Sequence, residues 1–191
     1  MKLARIFSPF TTLSRFLVPP CVAPPTTAAP RGILCRLGSD GLALRAFDWE
    51  SDSAAVCEFQ HDTDALNFPG YQFTSHFDQA FRHDLRRAML DNLHHLFVLE
   101  DGSGVCGFLW IVICENNWTG ERYGYLNNIY VAPPRRGRGL GKALMAHADE
   151  VLRAQGVQKA RLTVTSSNQS AVALYEAAGF SKTRWEMEKE L

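Results

Sequence analysis

"PPRRGRGLGKALM", residues 133–145, places three arginines, three glycines and one lysine within its first ten positions and then turns into an apolar helical pattern. Glycine at that density lets a backbone come close to something bulky, and arginine seeks an anion. Upstream, "RYGYLNNIYV" reads as a strand. Downstream, Leu140, Leu144, Ala148, Val151 and Leu152 share one helical face, Gly156 is suited to terminate it, and "KARLTVTS" reads as another strand. Strand, glycine turn, helix, strand over 125–166 is the crossover unit that makes its two strands parallel neighbours with the helix on one face. Between such a strand and a helix N-terminus, several backbone N–H groups lack intrahelical partners and sit in the positive field of the helix dipole. That geometry binds phosphate. At ~1.5–3 kcal/mol per charge-assisted hydrogen bond, three or four amides and an arginine suffice to hold a diphosphate. Arg135, Arg136, Arg138 and Lys142 raise the local potential further.

The pattern outward from this unit is orderly from Leu42. "LALRAF" reads as a short strand, and "ESDSAAVCEFQHD" and "SHFDQAFRHDLRRAMLDN" as two helices, the second apolar at Phe77, Phe81, Leu85 and Met89. "LHHLFVLE" and "VCGFLWIVIC" form a strand pair about the turn signal "DGSG". After the last crossover strand, "NQSAVALYEAAGF" reads as a short helix ending at Gly179 and "FSKTRWEMEKEL" as a closing strand. The order βααβββαβαβ is an α/β arrangement with a mixed sheet.

At 191 residues, 46% hydrophobic and 21% charged, the chain holds one ordinary core. Residues 1–39 contain six of the nine prolines and five basic but no acidic residues, and are expected to form a disordered or targeting-like N-terminal extension, with the folded domain at 40–191. "MKLARIFSPFTTLSRFLV" has the arginine, serine and lack of acids of an organelle transit peptide and lacks the apolar core of a secretory signal. A cytoplasmic protein with an extended tail is the favoured reading and an organelle matrix the alternative. The remainder carries 15 basic against 20 acidic residues, a net of −5, which argues against nucleic acid as the main partner. The longest apolar run, "FLWIVIC", has seven residues, far below the roughly 20 of a membrane-spanning helix. Five cysteines without a CxxC pair and six histidines without HExxH spacing suggest neither a disulfide framework nor a metal site.

Two familiar phosphate motifs fail by register. A P-loop would need glycine where Arg136 stands and a hydroxyl where Ala143 stands, and a GxGxxG frame meets Lys142 or Leu144 at its last position. The remaining frame is Arg136-x-x-Gly139-x-Gly141.

That frame, preceded by "NNIYVAPP" and followed by "LGKALM", resembles motif A of the GNAT acetyltransferase superfamily, Gln/Arg-x-x-Gly-x-Gly/Ala. "NQSAVALYEAAGF" is similar to the family's next motif, in which an asparagine begins a helix, a tyrosine lies one turn before its end and Gly-Phe leads onward. The resemblance covers about 42–191. It implies the GNAT fold, a mixed, mostly antiparallel central sheet with a parallel splayed strand pair and helices on both faces. It further implies an acetyl-CoA-dependent N-acetyltransferase that uses acetyl-CoA as co-substrate and no metal. By the same resemblance, the amides of Arg136, Gly137, Arg138, Gly139, Leu140, Gly141 and Lys142 hold the pyrophosphate, main-chain groups of Ile129, Tyr130 and Val131 hold the pantetheine arm, Asn168 bonds the pantetheine region, and Tyr175 protonates the departing thiolate. The acceptor is a primary amine on a small molecule, peptide or protein, and a homodimer is compatible with the family.

Plainer readings stand beside these. Tyr175 at helical spacing from Ala171 and Ala178 also suits a core position, Asn168 suits a helix cap, Arg135 suits solvated surface, and Phe68, Tyr71, Phe73, Phe77 and Phe81 suit packing under the sheet as well as an acceptor pocket. A lysine-like amine, pKa ~10.4, is neutral in only about one molecule in a few thousand at pH 7, so it must lose a proton before attack. Many family members place Glu or Asp on the strand before motif A. This chain has Asn127 and Asn128 there, which cannot act as bases, while Glu115, Glu121 and Tyr123 are the ionisable residues nearby.

Overall fold

Six strands lie in the order of the chain, β1 (Ile33–Leu37), β2 (Leu42–Ala46), β3 (His94–Asp101), β4 (Gly104–Glu115), β5 (Arg122–Val131) and β6 (Ala160–Arg161), in a computed structural model that describes residues 32–37, 41–70, 72, 74–187 and 189. Neighbours from β1 to β5 run antiparallel, whereas β5 and β6 are parallel. The helices are α1 (Trp49–Asn67), α2 (Ser75–Met89), α3 (Leu140–Ala154) and α4 (Gln169–Ala177), with a 3-10 turn at Pro133–Arg135. Sequential strands joined by short turns give the antiparallel part; the α3 crossover gives the parallel pair.

The sheet is buried on both faces because its central strands are apolar on both. Along β4, Phe108 and Trp110 meet Val56 and Phe59 of α1 and Leu85 and Ala88 of α2, whereas Leu109 and Ile111 belong to the cluster containing Leu144, Ala148 and Leu152 of α3. Helices therefore cover both faces, as the resemblance implies. On α2 a strict four-residue spacing drifts around the helix: Leu85 is fully buried, but Met89 is 42% exposed and Ala88 takes the inward place.

Three irregularities interrupt the ladders, the first leaving Leu34 of β1 unmatched between Ile33, opposite Arg45, and Cys35, opposite Leu44. Leu99 faces Gly107 while Glu100 faces Val105, leaving Cys106 unmatched. Trp110 faces Asn128 while Ile111 faces Leu126, leaving Asn127 unmatched on β5. Each extra residue reverses which side chains face which layer. Gly124 and Leu126 thus lie toward α3, and Asn128 and Tyr130 toward α1.

Arg45 ties β2 to the start of α1. Its guanidinium binds both carboxylate oxygens of the fully buried Asp52 at 2.6 and 2.8 Å and Glu100 at 2.6 Å.

β1 lies on the N-terminal side of the boundary expected at residue 40. Ile33–Leu37 pairs with Leu42–Ala46, so the folded unit reaches back into the proline-rich part of the sequence. β1 is an edge strand in which no residue is fully buried, Ile33 and Leu34 being 46% and 53% exposed, so its sequence ILCRL carries no clear apolar–polar alternation. The targeting or disordered reading of residues 1–31 lies outside the described residues, as do Tyr71 and Phe73. "KARLTVTS" contributes only Ala160–Arg161 to the sheet, and among the described residues of "FSKTRWEMEKEL" none is in a strand. Alternation marks a strand only where a ladder partner exists, and β6 offers two residues. Among the described residues no helix is long and apolar enough to cross a membrane.

Candidate functional site

The β5–β6 ladder consists of Gly124–Ala160 and Tyr125–Arg161 and then stops. The Tyr125 hydroxyl donates to Thr163 Oγ1 at 3.1 Å across the point where the strands part. Beyond this fork, β5 continues to Val131 with its outer edge unpaired by β6. The Ala132 N–H donates to the Cys106 carbonyl at 2.9 Å, so by antiparallel alternation Tyr130 and Asn128 aim their main-chain groups at β4, and Ile129 and Val131 aim theirs into the gap. Of the three residues expected to line the arm, Ile129 and Val131 present main chain to the gap and Tyr130 does not. The Val131 carbonyl already accepts from Arg136 Nε at 2.8 Å.

At the end of β5 the chain passes through Pro133–Arg135 into α3, whose N-cap is Gly139 at φ 77°. No side chain caps this helix, and its first intrahelical bond is Ala143 N–H to the Gly139 carbonyl at 3.0 Å. The amides of Leu140, Gly141 and Lys142 thus have no intrahelical acceptor. A Cβ at Gly139 would meet nothing within 4 Å, so the space over the turn is open and glycine is required there by backbone conformation. Gly141 is different. A Cβ there would stand 3.1 Å from Leu174 Cδ2, so it serves the close approach of α3 and α4. Gly137 shares the left-handed conformation, while Arg136, Arg138 and Lys142 line the same turn. Arg135, only partly exposed, forms an ion pair with Asp101 at 2.5 Å that ties the turn to the β3–β4 hairpin.

Asn168 caps α4, its Oδ1 accepting from Ala171 N–H at 3.2 Å and Ser170 Oγ at 3.1 Å. Tyr175 packs against Phe180 at 6.1 Å between ring centroids on the α3 side of the sheet. Burial, with the nearby Tyr125, pushes its phenol up to about 12, so it keeps its proton at neutral pH. The core reading and the proton-donor reading of Tyr175 are therefore compatible.

The ionisable residues weighed as bases lie elsewhere. Glu121 is engaged by Lys159 and Arg161, and the hydrogen bond from Lys159 holds its carboxyl below the usual range. Tyr123 is pushed up by burial and lies under Arg161, 4.1 Å from guanidinium to ring. Both sit on the closed side of the fork, and Glu115 stands opposite Arg122 in the ladder at the same end.

A group that sequence reasoning missed stands on the open side. Asn128, 7% exposed, donates through Nδ2 to Gln60 Oε1 at 2.6 Å, and Gln60 Nε2 donates to Asp64 Oδ2 at 2.8 Å. Farther along α1, Asn67 Oδ1 accepts from Thr165 Oγ1 at 2.9 Å beyond β6. Gln60, Asp64 and Asn67 recur at i, i+4 and i+7, a polar stripe on one helix face. Ending α1 at residue 62 from the sequence hid its last five residues, Asp64 and Asn67 among them. Among the described residues no three His, Cys, Asp or Glu side chains converge as a metal site would need.

Comparison with known proteins agrees with this geometry. The model of the acetyltransferase (GNAT) family matches residues 55–180. An uncharacterized N-acetyltransferase, YycN, of Bacillus subtilis (strain 168) is 34% identical over 114 residues, 59% of this chain and 72% of that protein. The mycothiol acetyltransferase of Salinispora tropica is 34% identical over 147 residues, 76% of this chain but only 46% of its own length. This chain thus spans less than half of that relative. A predicted acetyltransferase from Clostridium acetobutylicum, whose crystal structure contains acetyl-CoA, shares the fold with a TM-score of 0.64 at 19% identity over 78% of this chain and 96% of that one. A glycine-capped helix following a forked strand pair, a family match spanning both motifs, and relatives named as acetyltransferases converge: the chain belongs to the acetyltransferase (GNAT) family.

Proposed function

We propose that the chain moves an acetyl group from acetyl-CoA to a primary amine by direct attack in a ternary complex. The observation that carries this reading is the uncapped N-terminus of α3 at Gly139, open above its amides and directly downstream of a strand with an unpaired edge. The amides of Leu140, Gly141 and Lys142, with Arg136, Gly137 and Arg138 in the same turn, would bind a diphosphate there. From that point the main-chain groups of Ile129 and Val131 lead toward the fork, a path suited to an extended pantetheine arm. An amide on this edge would stabilise negative charge developing on the thioester oxygen. Attack by the neutral amine nitrogen on the carbonyl carbon forms the amide C–N bond and breaks the C–S bond; the nitrogen gives up one proton to solvent, and the departing thiolate takes one. Tyr175, protonated at neutral pH, is suited to supply it, and Asn168 Nδ2 is the remaining donor of a residue whose oxygen is used in capping.

A second reading is an acyl-CoA-binding module without turnover, favoured by amide side chains where the family often carries a carboxylate. Calorimetric titration with acetyl-CoA and thiol release against a panel of primary amines separate the two. Enzyme requires both binding and release. Tight binding without release for any amine favours the module. Donor affinity unchanged by Gly139→Glu, a substitution that fills the open space and imposes strain at φ 77°, overturns the donor site itself.

A further inference from the structure

We propose that Asp64, Gln60 and Asn128 form the acceptor site, a directional chain of side chains that turns one amide oxygen toward an incoming amine N–H. The inference rests on the acetyl-transfer reading.

Direction follows from hydrogen-bond chemistry. Ionised Asp64 has only acceptors, so Gln60 must present its NH2 to Oδ2, at 2.8 Å. Gln60 then offers its carbonyl oxygen to the next residue, and Asn128 answers with its own NH2 at 2.6 Å. Asn128 Oδ1 is thereby left pointing away from the chain, buried, and with no hydrogen-bond partner. All three residues are nearly inaccessible, at 2%, 3% and 7% exposure for Asp64, Gln60 and Asn128. An acceptor oxygen buried without a donor destabilises a fold unless something else binds it.

Its place gives the ligand class. Asn128 immediately precedes Ile129, whose main chain faces the gap proposed for the thioester arm, and the bulge at Asn127 turns the Asn128 side chain to the α1 face, opposite α3 and α4. A donor held in the gap and an amine held on the α1 face would meet beside Ile129. The oxygen accepts an N–H, and the carboxylate two hydrogen bonds behind it favours positive charge. An unhindered primary aliphatic amine fits both requirements. A quaternary ammonium satisfies only the second, and an anion without an N–H neither. The amide oxygen orients the amine and takes no proton from it, so Asp64 and Gln60 are positioning residues.

Asp64→Asn tests the direction while keeping shape. The amide that replaces the carboxylate can donate to Gln60, so nothing then prevents both Gln60 and Asn128 from reversing and showing Nδ2 of Asn128 to the acceptor. Side-chain amide resonances of the full chain saturated with CoA, which carries no acetyl group to transfer, report amine binding without turnover. Titration with n-butylamine is expected to shift the Asn128 side-chain resonances, tetramethylammonium to leave them in place, and Asp64→Asn to raise the butylamine dissociation constant at least tenfold with its melting temperature undiminished. If butylamine leaves Asn128 unmoved, or binds Asp64→Asn as tightly, while acetyl-CoA shifts the amides of Gly139–Lys142, the acceptor site is overturned and the donor reading survives. If acetyl-CoA leaves those amides unmoved, the donor reading falls and takes the acceptor site with it.

Discussion

A Cβ added to Gly141 of α3 would stand 3.1 Å from Cδ2 and 3.4 Å from Cδ1 of Leu174 on α4. This contact holds the helix bearing Asn168 and Tyr175 against the helix whose N-terminus forms the glycine turn. The two family motifs, about 30 residues apart in sequence, are thereby one packed unit.

Gly141→Ala gains about 1 kcal/mol of helix propensity and loses a comparable amount to crowding against the leucine end. Its melting temperature should change little. Leu174→Ala should cost about 2 kcal/mol, the low end for a leucine truncation because the residue is half-buried. In the Gly141→Ala background that cost should fall by about 1 kcal/mol, since the new methyl occupies the space vacated. Denaturant unfolding of the four proteins gives the coupling; additivity within about 0.3 kcal/mol would show that the helices do not meet there.

Tyr175→Phe should lower kcat by about ten- to hundredfold at pH 7 and leave the KM for acetyl-CoA within about twofold. The phenol is pushed up to about 12 by burial, so it carries its proton throughout the ordinary assay range. The wild-type rate should therefore show no loss assignable to Tyr175 up to about pH 10. Equal kcat values for the two proteins would reduce this side chain to its packing against Phe180.

The glycine turn, the helix start and the fork beside them were legible because local sequence dictates them. A strand, dense glycine and a helix start within about 20 residues leave few geometries, and register alone removed the competing phosphate motifs. The Asn128–Gln60–Asp64 chain was not. Asn128 was noticed only as a missing base, because its partners Gln60 and Asp64 lie 68 and 64 positions away and a buried polar stripe blurs the apolar periodicity by which helices are read. The short reach of β6 was equally hidden: "KARLTVTS" has strand composition, yet the fork leaves most of it without a partner.

Asp64→Asn should raise stability at neutral pH. Burial pushes the Asp64 carboxyl above the usual range, and the hydrogen bond from Gln60 only partly opposes this. A carboxyl raised on folding contributes fully below its unfolded pKa of ~3.9, and that contribution is lost as pH rises through the folded value. The melting temperature of Asp64→Asn should thus match the wild type near pH 4 and exceed it by about 2–4 °C at pH 7. An asparagine variant less stable at pH 7 than at pH 4, relative to wild type, would show that the ionised carboxylate is stabilising.

The Arg45–Asp52 pair has the opposite sign. Burial pushes the Asp52 carboxyl up, but hydrogen bonds from Arg45, the Asp48 N–H and Ser51 outweigh it and hold the group below the ordinary carboxylate range. Its contribution is present above the unfolded pKa of ~3.9 and is lost as pH falls through the folded value. Asp52→Asn should therefore cost about 3–5 kcal/mol at pH 7, because it leaves Arg45 buried with Glu100 as its remaining carboxylate, and the deficit should shrink below about pH 4. Replacing both partners, as Arg45→Met with Asp52→Leu, removes the desolvation cost together with the attraction. That double variant should be at least as stable as wild type at pH 7. If urea unfolding instead shows the double variant as unstable as Asp52→Asn, the ion pair is needed to fix the angle at which β2 enters α1, and its role extends beyond charge balance.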